Sequence, residues 1–348
     1  MSFNKNKIIG ICLILICCFF GYYQFISKPY FSIIVSSYNY GHYLPQTIES
    51  ILNSTYQNFE LIIVNDGSTD NTSELLKTYQ NHPKITIIEQ ENLGLSIARN
   101  NAMKIAKGKY FWFVDADDWI DKNALALLWS KTKGKYIDLV SFYNVQSKNN
   151  LLLPLTTYQV LPTRLVKNPK KTSTLASLSK EELEEYPVTS GKQIYRRAFV
   201  EKHGIEFPPR TLFEDDVFFL DTIFKGAKIS ALTKFIYYKR VHDEAITSDK
   251  SKYFDSYLRI CQHLYERITT NKKENEKAYY LVNIYIKNIF NRWASLSEER
   301  KYEFYPELEK FKNYIDKKAK TDSNLYDTKI WFNSFFNQPN IQKYSKKD

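Results

Sequence analysis

From residue 31 the chain alternates nearly unbroken apolar runs with helical periods. FSIIVSSY (31–38) precedes LPQTIESILN (44–53), FELIIVND (59–66) precedes TDNTSELLKTYQ (69–80), and KITIIEQ (84–90) precedes LSIARNNAMKIAKG (95–108) before KYFWFVD (109–115). A strand that is apolar on both faces must be covered on both faces, and strands separated by helices return parallel. The pattern therefore predicts an α/β fold with a mostly parallel sheet and helices on both faces. Thr69 or Asp70 is expected to cap the second helix, and Gly108 to close the third.

In such sheets ligands bind outside the carboxyl ends of the strands. The polar tips there are Ser36-Ser37-Tyr38-Asn39, Asn65-Asp66-Gly67-Ser68, Glu89-Gln90-Glu91-Asn92 and Asp115-Ala116-Asp117-Asp118. The last sits in FVDADDW, three carboxylates within four positions directly after an apolar run. Like charges that close repel, and a divalent cation among them removes the repulsion. Mg²⁺ or Mn²⁺ suits hard oxygen ligands and typically takes one or two carboxylates plus substrate phosphates, which points to a metal–diphosphate site. A solvated acidic turn beside a helix start is the other reading. A second acidic cluster, Phe213-Glu214-Asp215-Asp216, reads either as a base-bearing motif or as carboxylates favoured by a helix N-terminus.

The 348 residues suffice for one large domain or two modest ones. A net charge of +11 favours anionic partners such as phosphates, acidic lipid headgroups or nucleic acid, or is simply a basic solvated surface. No RNA-recognition signature or metal-finger spacing occurs, so no nucleic-acid partner is expected. The cysteines at 12, 17, 18 and 261 build neither a disulfide framework nor a zinc site. Near the N-terminus, residues 8–26 read IIGICLILICCFFGYYQFI, without a charge, flanked by Lys5, Lys7 and Lys28. That length just spans a hydrocarbon core of roughly 30 Å, and no small-residue cleavage site follows, so an uncleaved membrane anchor is expected over a buried core helix. Lys5 and Lys7 favour an anchor that places the rest of the chain outside.

Taken in order, FSIIVSSYN, ELIIVNDGSTDNT, ENLGLSIARNNAMKIAKGKYFWFVDADDW, KQIYRRAFVEKHGIEF and FEDDVFF span about residues 31–225. The chain resembles the family 2 glycosyltransferases of the GT-A fold, in its membrane-anchored bacterial form. The resemblance implies a Rossmann-like nucleotide-binding sheet and a helical C-terminal region. It also implies a metal-dependent, inverting transfer from a nucleotide-sugar, with Mg²⁺ or Mn²⁺ as cofactor and UDP as the expected nucleotide. Residue by residue, Ser36 and Tyr38 would lie at the base, Asp66 would accept a hydrogen bond from it, and Arg99 would face the diphosphate. Asp115 and Asp117 match the D-x-D pair on ribose and metal, with Asp118 assisting or replacing Asp117. Asp215 matches the catalytic base, Glu214 its orienting neighbour, and Asp216 the fallback. The segment YYKRVHDEAITS (237–248) resembles the family's closing stretch, so Arg240 or His242 could reach diphosphate or metal. Ser36 replaces the usual Pro or Thr, and Ala245 the usual Ser.

The expected organisation is an anchor at 1–28, a catalytic domain at 29–250 (nucleotide-sugar-binding half 29–120, acceptor half 121–250) and helices at 251–348. The expected partners are the donor, a saccharide or lipid-linked acceptor, and the membrane. The expected location is the bacterial inner membrane, where a cytosolic donor opposes the orientation that Lys5 and Lys7 favour. Two other classes stay open: a nucleotidyltransferase on a similar sheet, and an inactive, membrane-tethered glycan-binding relative.

Overall fold

The structure is a computed structural model and describes residues 28–148, 151–152, 167, 171–184, 190–209, 211, 213–242, 254–267 and 272–345. Its strands are β1 (Phe31–Ser37), β2 (Phe59–Asp66), β3 (Ile85–Gln90), β4 (Tyr110–Asp115), β5 (Trp119–Ile120), β6 (Leu139–Lys148), β7 (Leu151–Leu152), β8 (Gln193–Arg196) and β9 (Ile229–Arg240). They form one sheet in the order β3-β2-β1-β4-β8-β6-β9-β5, with β7 paired to β6. The first four are mutually parallel. Strand β8 then runs antiparallel to both β4 and β6, while β6 and β9 are parallel.

The α-helices are α1 (Leu44–Leu52), α2 (Thr72–Lys77), α3 (Leu95–Ile105), α4 (Ala124–Thr132), α5 (Lys180–Glu184), α6 (Arg197–His203), α7 (Glu214–Phe224), α8 (Phe254–Arg267), α9 (Lys272–Ala294), α10 (Glu298–Lys318), α11 (Tyr326–Phe336) and α12 (Pro339–Gln342). The strands are apolar throughout because alternate side chains enter two different cores. On β1 and β4, Phe31, Ile33, Val35, Tyr110, Trp112 and Val114 meet Leu44, Ile48 and Ile51 of α1 and Leu125 and Leu128 of α4. Ile34, Phe111 and Phe113 face the other way, into a core with Ala98 and Ala102 of α3 and Val217 and Phe218 of α7. That second core runs on without a break into α8, α9, α10 and α11 through Tyr257, Ile286, Leu308 and Phe332. The C-terminal helices are thus packed into one face of the sheet.

Two boundaries differ from expectation. Helix α2 starts at Thr72, after Asn71, whose side chain makes no cap bond. Asp70 supplies the bond from outside: one carboxylate oxygen accepts from the Thr72 amide (3.0 Å) and the other from the Gly41 amide (2.9 Å). Helix α3 ends at Ile105, so Gly108 does not close it. Gly108 instead enters β4 pressed against β1. Its amide donates to Ser32 Oγ (2.8 Å), and a Cβ there would lie 2.4 Å from the Ser32 nitrogen.

The expected membrane location is also corrected. Among the described residues no helix is long and apolar enough to cross a membrane. The long helices α9 and α10 carry charges throughout, as in KKENEKAYY and EERKYEFYPELEK, which hydrocarbon would not accept. Residues 8–26, on which the anchor was expected, lie outside the described residues.

The close approach at Gly108 is testable. Gly108→Ala forces backbone apart rather than a movable side chain, and overpacking of this kind costs about 1–3 kcal/mol. Urea unfolding is expected to show a lower midpoint at unchanged slope. An unchanged midpoint would show that β1 and β4 have slack at this point.

Candidate functional site

The carboxyl end of β4 carries the first cluster. The turn Asp115-Ala116-Asp117-Asp118 closes through the Asp118 amide on the Asp115 carbonyl (3.1 Å). The buried Thr47 hydroxyl of α1 lies 2.8 Å from the Ala116 carbonyl and 2.7 Å from that of Asp118. One oxygen from each of Asp115, Asp117 and Asp118 lies within 4.8 Å of the others. Burial, and then neighbouring carboxylates, push Asp117 and Asp118 above the usual carboxylate range.

Strand β9 answers this charge. Burial and then Asp118 keep the Tyr237 phenol protonated; it donates to Asp118 Oδ2 (2.6 Å) and accepts from the Asp115 amide (3.2 Å). Asp118 Oδ1 accepts from the Arg240 amide (2.7 Å), so both its oxygens are engaged by protein donors. The Arg240 guanidinium lies between the rings of Tyr43 (4.7 Å) and Trp119 (4.9 Å) and donates to the Asp117 carbonyl (2.9 Å). His242 Nε2 lies 2.8 Å from Asp117 Oδ2, while its buried Nδ1 has no hydrogen-bond partner among the described residues. The rest of the expected closing stretch, 243–248, lies outside the described residues.

The second acidic cluster opens α7, so its carboxylates sit at the positive end of the helix. Arg99, buried on α3, joins the two clusters. One of its nitrogens is 2.9 Å from Asp115 Oδ1 and another 2.7 Å from Glu214 Oε1, with the guanidinium 5.1 Å from the Phe207 ring. Burial raises Glu214 to about 7, even though Arg99 pulls the other way. Asp215 follows, its Oδ1 accepting from the Asp216 amide (3.1 Å).

The residues expected at the nucleotide occupy the neighbouring strand ends. Ser36 is in register with Asp115, and its buried hydroxyl has no partner among the described residues. Tyr38 is 44% exposed. Asn39 adopts the left-handed conformation (φ 60°), and its side-chain oxygen accepts from the Thr69 amide (2.7 Å), tying the β1 loop to the β2 loop. Asp66 accepts from Gln90 Nε2 (2.7 Å) and from the Leu93 and Gly94 amides (2.9 Å each), and so shapes the loop entering α3.

The fold therefore gathers Asp115, Asp117, Asp118 and His242, links them through Arg99 to Glu214 beside Asp215, and sets Ser36, Tyr38 and Asp66 along the same sheet edge. Sequence reasoning missed Tyr237, Lys239 and Lys192. Tyr237 and Lys239 share a strand face two residues apart, a signal legible only once Tyr237 is known to point at Asp118. Burial opposes the charge on Lys239, but Asp115, Asp118, Asp117 and Asp215 hold it above its ordinary range. Burial, and then Lys239, bring Lys192 down to about 8. Gly191, just before Lys192, makes room for Tyr237: a Cβ there would lie 2.8 Å from its hydroxyl oxygen.

Residues 32–204 match the family described as Glycosyl transferase family 2. The uncharacterized glycosyltransferase EpsJ of Bacillus subtilis (strain 168) is 30% identical over 223 residues, 63% of this chain and 63% of the relative. The putative glycosyltransferase EpsH of the same organism is 30% identical over 259 residues, 72% of this chain and 71% of the relative. The chain thus spans a little under two thirds of one relative and a little over two thirds of the other. The crystal structure of S. aureus TarS 1–349 in complex with UDP-GlcNAc superposes with a TM-score of 0.65 at 22% identity, covering 81% of this chain and 80% of that one. The shared architecture is the GT-A fold, and with a relative 30% identical and covered over 71% of its length the chain belongs to glycosyl transferase family 2.

Proposed function

We propose that this glycosyltransferase moves a sugar from a UDP-sugar to a hydroxyl of a saccharide or lipid-linked saccharide, with inversion at the anomeric carbon. One observation carries the reading: a single buried guanidinium, Arg99, holds Asp115 of the D-x-D turn and Glu214 of the second acidic cluster together. A donor held at the strand ends would then lie beside Asp215.

In this reading Ser36, Tyr38 and Asp66 receive the nucleotide, Tyr38 by stacking its exposed ring on the base. Asp115 takes the ribose. The donor set suits a divalent cation: hard carboxylate oxygens gathered closely, and an imidazole with an unpartnered buried nitrogen. Asp117 and His242 would hold Mg²⁺ or Mn²⁺, and Asp118, engaged by Tyr237 and the Arg240 amide, would orient the turn. Bound there, the cation would neutralise charge on the leaving diphosphate. Lys239 and Lys192 add positive charge on the same side. Asp215 takes the proton from the acceptor hydroxyl as its oxygen attacks the anomeric carbon from the face opposite the diphosphate. The new C–O bond forms, the bond to the diphosphate oxygen breaks, and UDP leaves. Residues 29–250 would make up the catalytic domain, with a nucleotide-sugar half at 29–120 and an acceptor half at 121–250, and 251–348 its helical extension.

Two outcomes are expected. Asp215→Asn keeps the shape but cannot accept the proton, so sugar transfer or donor hydrolysis falls by about 10²–10⁴-fold. UDP binding by calorimetry is expected to stay within about threefold, because base and nucleotide sites are separate. Full turnover in that variant would remove Asp215 from the base role. UDP release from a panel of UDP-, GDP- and dTDP-sugars is expected only with Mn²⁺ or Mg²⁺, to stop with EDTA, and to need far more metal in Asp117→Ala. Release that is indifferent to EDTA would overturn the metal assignment, and release of inorganic pyrophosphate would mark a nucleotidyltransferase instead.

A further inference from the structure

Phe213, the residue before Glu214, sits in the left-handed region at φ 65° and ψ 29°. Among the described residues the only other non-glycine with positive φ is Asn39. Asparagine tolerates that conformation; phenylalanine is strained in it and stays there only where the surroundings over-determine it. The compulsion comes from the C-terminal helices. The Arg292 guanidinium of α9 lies 4.7 Å from the Phe213 ring and 4.1 Å from the Tyr257 ring of α8. Tyr257 meets Phe213 edge-on at 5.9 Å and stacks on Tyr285 of α9 at 6.0 Å. Tyr285 in turn donates a hydrogen bond to the Asp216 carboxyl. Tyr285 and Arg292 are seven residues apart, so both point from one face of α9.

The residues flanking Asp215 are therefore held from several sides. Phe213 is held by Arg292 and Tyr257, Glu214 by Arg99, and Asp216 by Tyr285, which leaves the direction of the Asp215 side chain set by its neighbours. Resting on the reading of Asp215 as the general base, we propose that Tyr285 and Arg292 are positioning residues: the C-terminal helices aim Asp215 at the acceptor hydroxyl. Burial, and then Asp215, push Asp216 well above the usual carboxylate range, so Asp216 is less often free to accept a proton and serves the clamp instead.

The test uses the full chain with the UDP-sugar it turns over and Mn²⁺, comparing Tyr285→Phe, Arg292→Lys and Asp215→Asn. Tyr285→Phe removes one hydroxyl; Arg292→Lys keeps the charge but loses the flat face that lies against two rings. Misplacing a catalytic group slightly costs roughly ten- to a hundredfold in rate. The expected result is such a fall in kcat per UDP-binding site for Tyr285→Phe and Arg292→Lys, with donor KM and UDP stoichiometry unchanged. Wild-type kcat per site in both, beside an inactive Asp215→Asn, would overturn the positioning role alone. The same holds if both variants lose only Tm and the number of UDP sites, because that is a purely structural role. A fully active Asp215→Asn would overturn the base assignment, and the positioning role with it.

Discussion

The structure depends most on a cation placed where a cation alone would not be tolerated. Arg99 is almost fully removed from water, yet its two carboxylate partners come from segments far apart in sequence, the β4 turn and the start of α7. Removing one partner of a buried pair leaves a stranded charge, commonly a loss of about 3–5 kcal/mol. That asymmetry makes the arrangement a specification as well as a contact. Satisfying Arg99 brings the carboxylates of the β4 turn and of the start of α7 together. The Phe207 and Phe113 rings flanking the guanidinium then keep solvent from loosening it.

The remaining acidic groups are accommodated by a division of labour. Asp118 is satisfied inside the protein by Tyr237 and a backbone amide of β9. Asp117 faces His242, and Lys239 answers the field of the group as a whole. With Asp115 on Arg99, the three carboxyl groups of the β4 turn have three different environments, and their chemistry can differ although their residue type does not. Strand β9 helps to separate them through Tyr237 and the Arg240 amide, contacts that the sequence of its polar end, YYKR, does not disclose.

The first four strands could be read to within a residue because their signal is local: an apolar run must be buried, and the turn chemistry after it must be polar. The acidic motifs were legible for the same reason. What escaped were residues whose importance is relational. Tyr237 counts because Gly191 leaves it space and Asp118 needs a donor. Gly108 looked like a helix stop because glycine often is one, whereas its use here is contact between β1 and β4 backbones. Ser36, Tyr38 and Asp66 were placed by strand ends alone, but that Asp66 builds the loop into α3 needed the Leu93 and Gly94 amides in view.

The C-terminal helices were legible as helices and illegible as a part of the site. The structure puts many of their aromatic residues in the core that begins on the sheet. A helix packed into the same core as α7 cannot shift without shifting the segment that opens α7. With Phe213 held in a conformation its own backbone disfavours, that segment is a point where packing is converted into direction. The C-terminal helices thereby bear on the backbone beside Asp215 through packing alone.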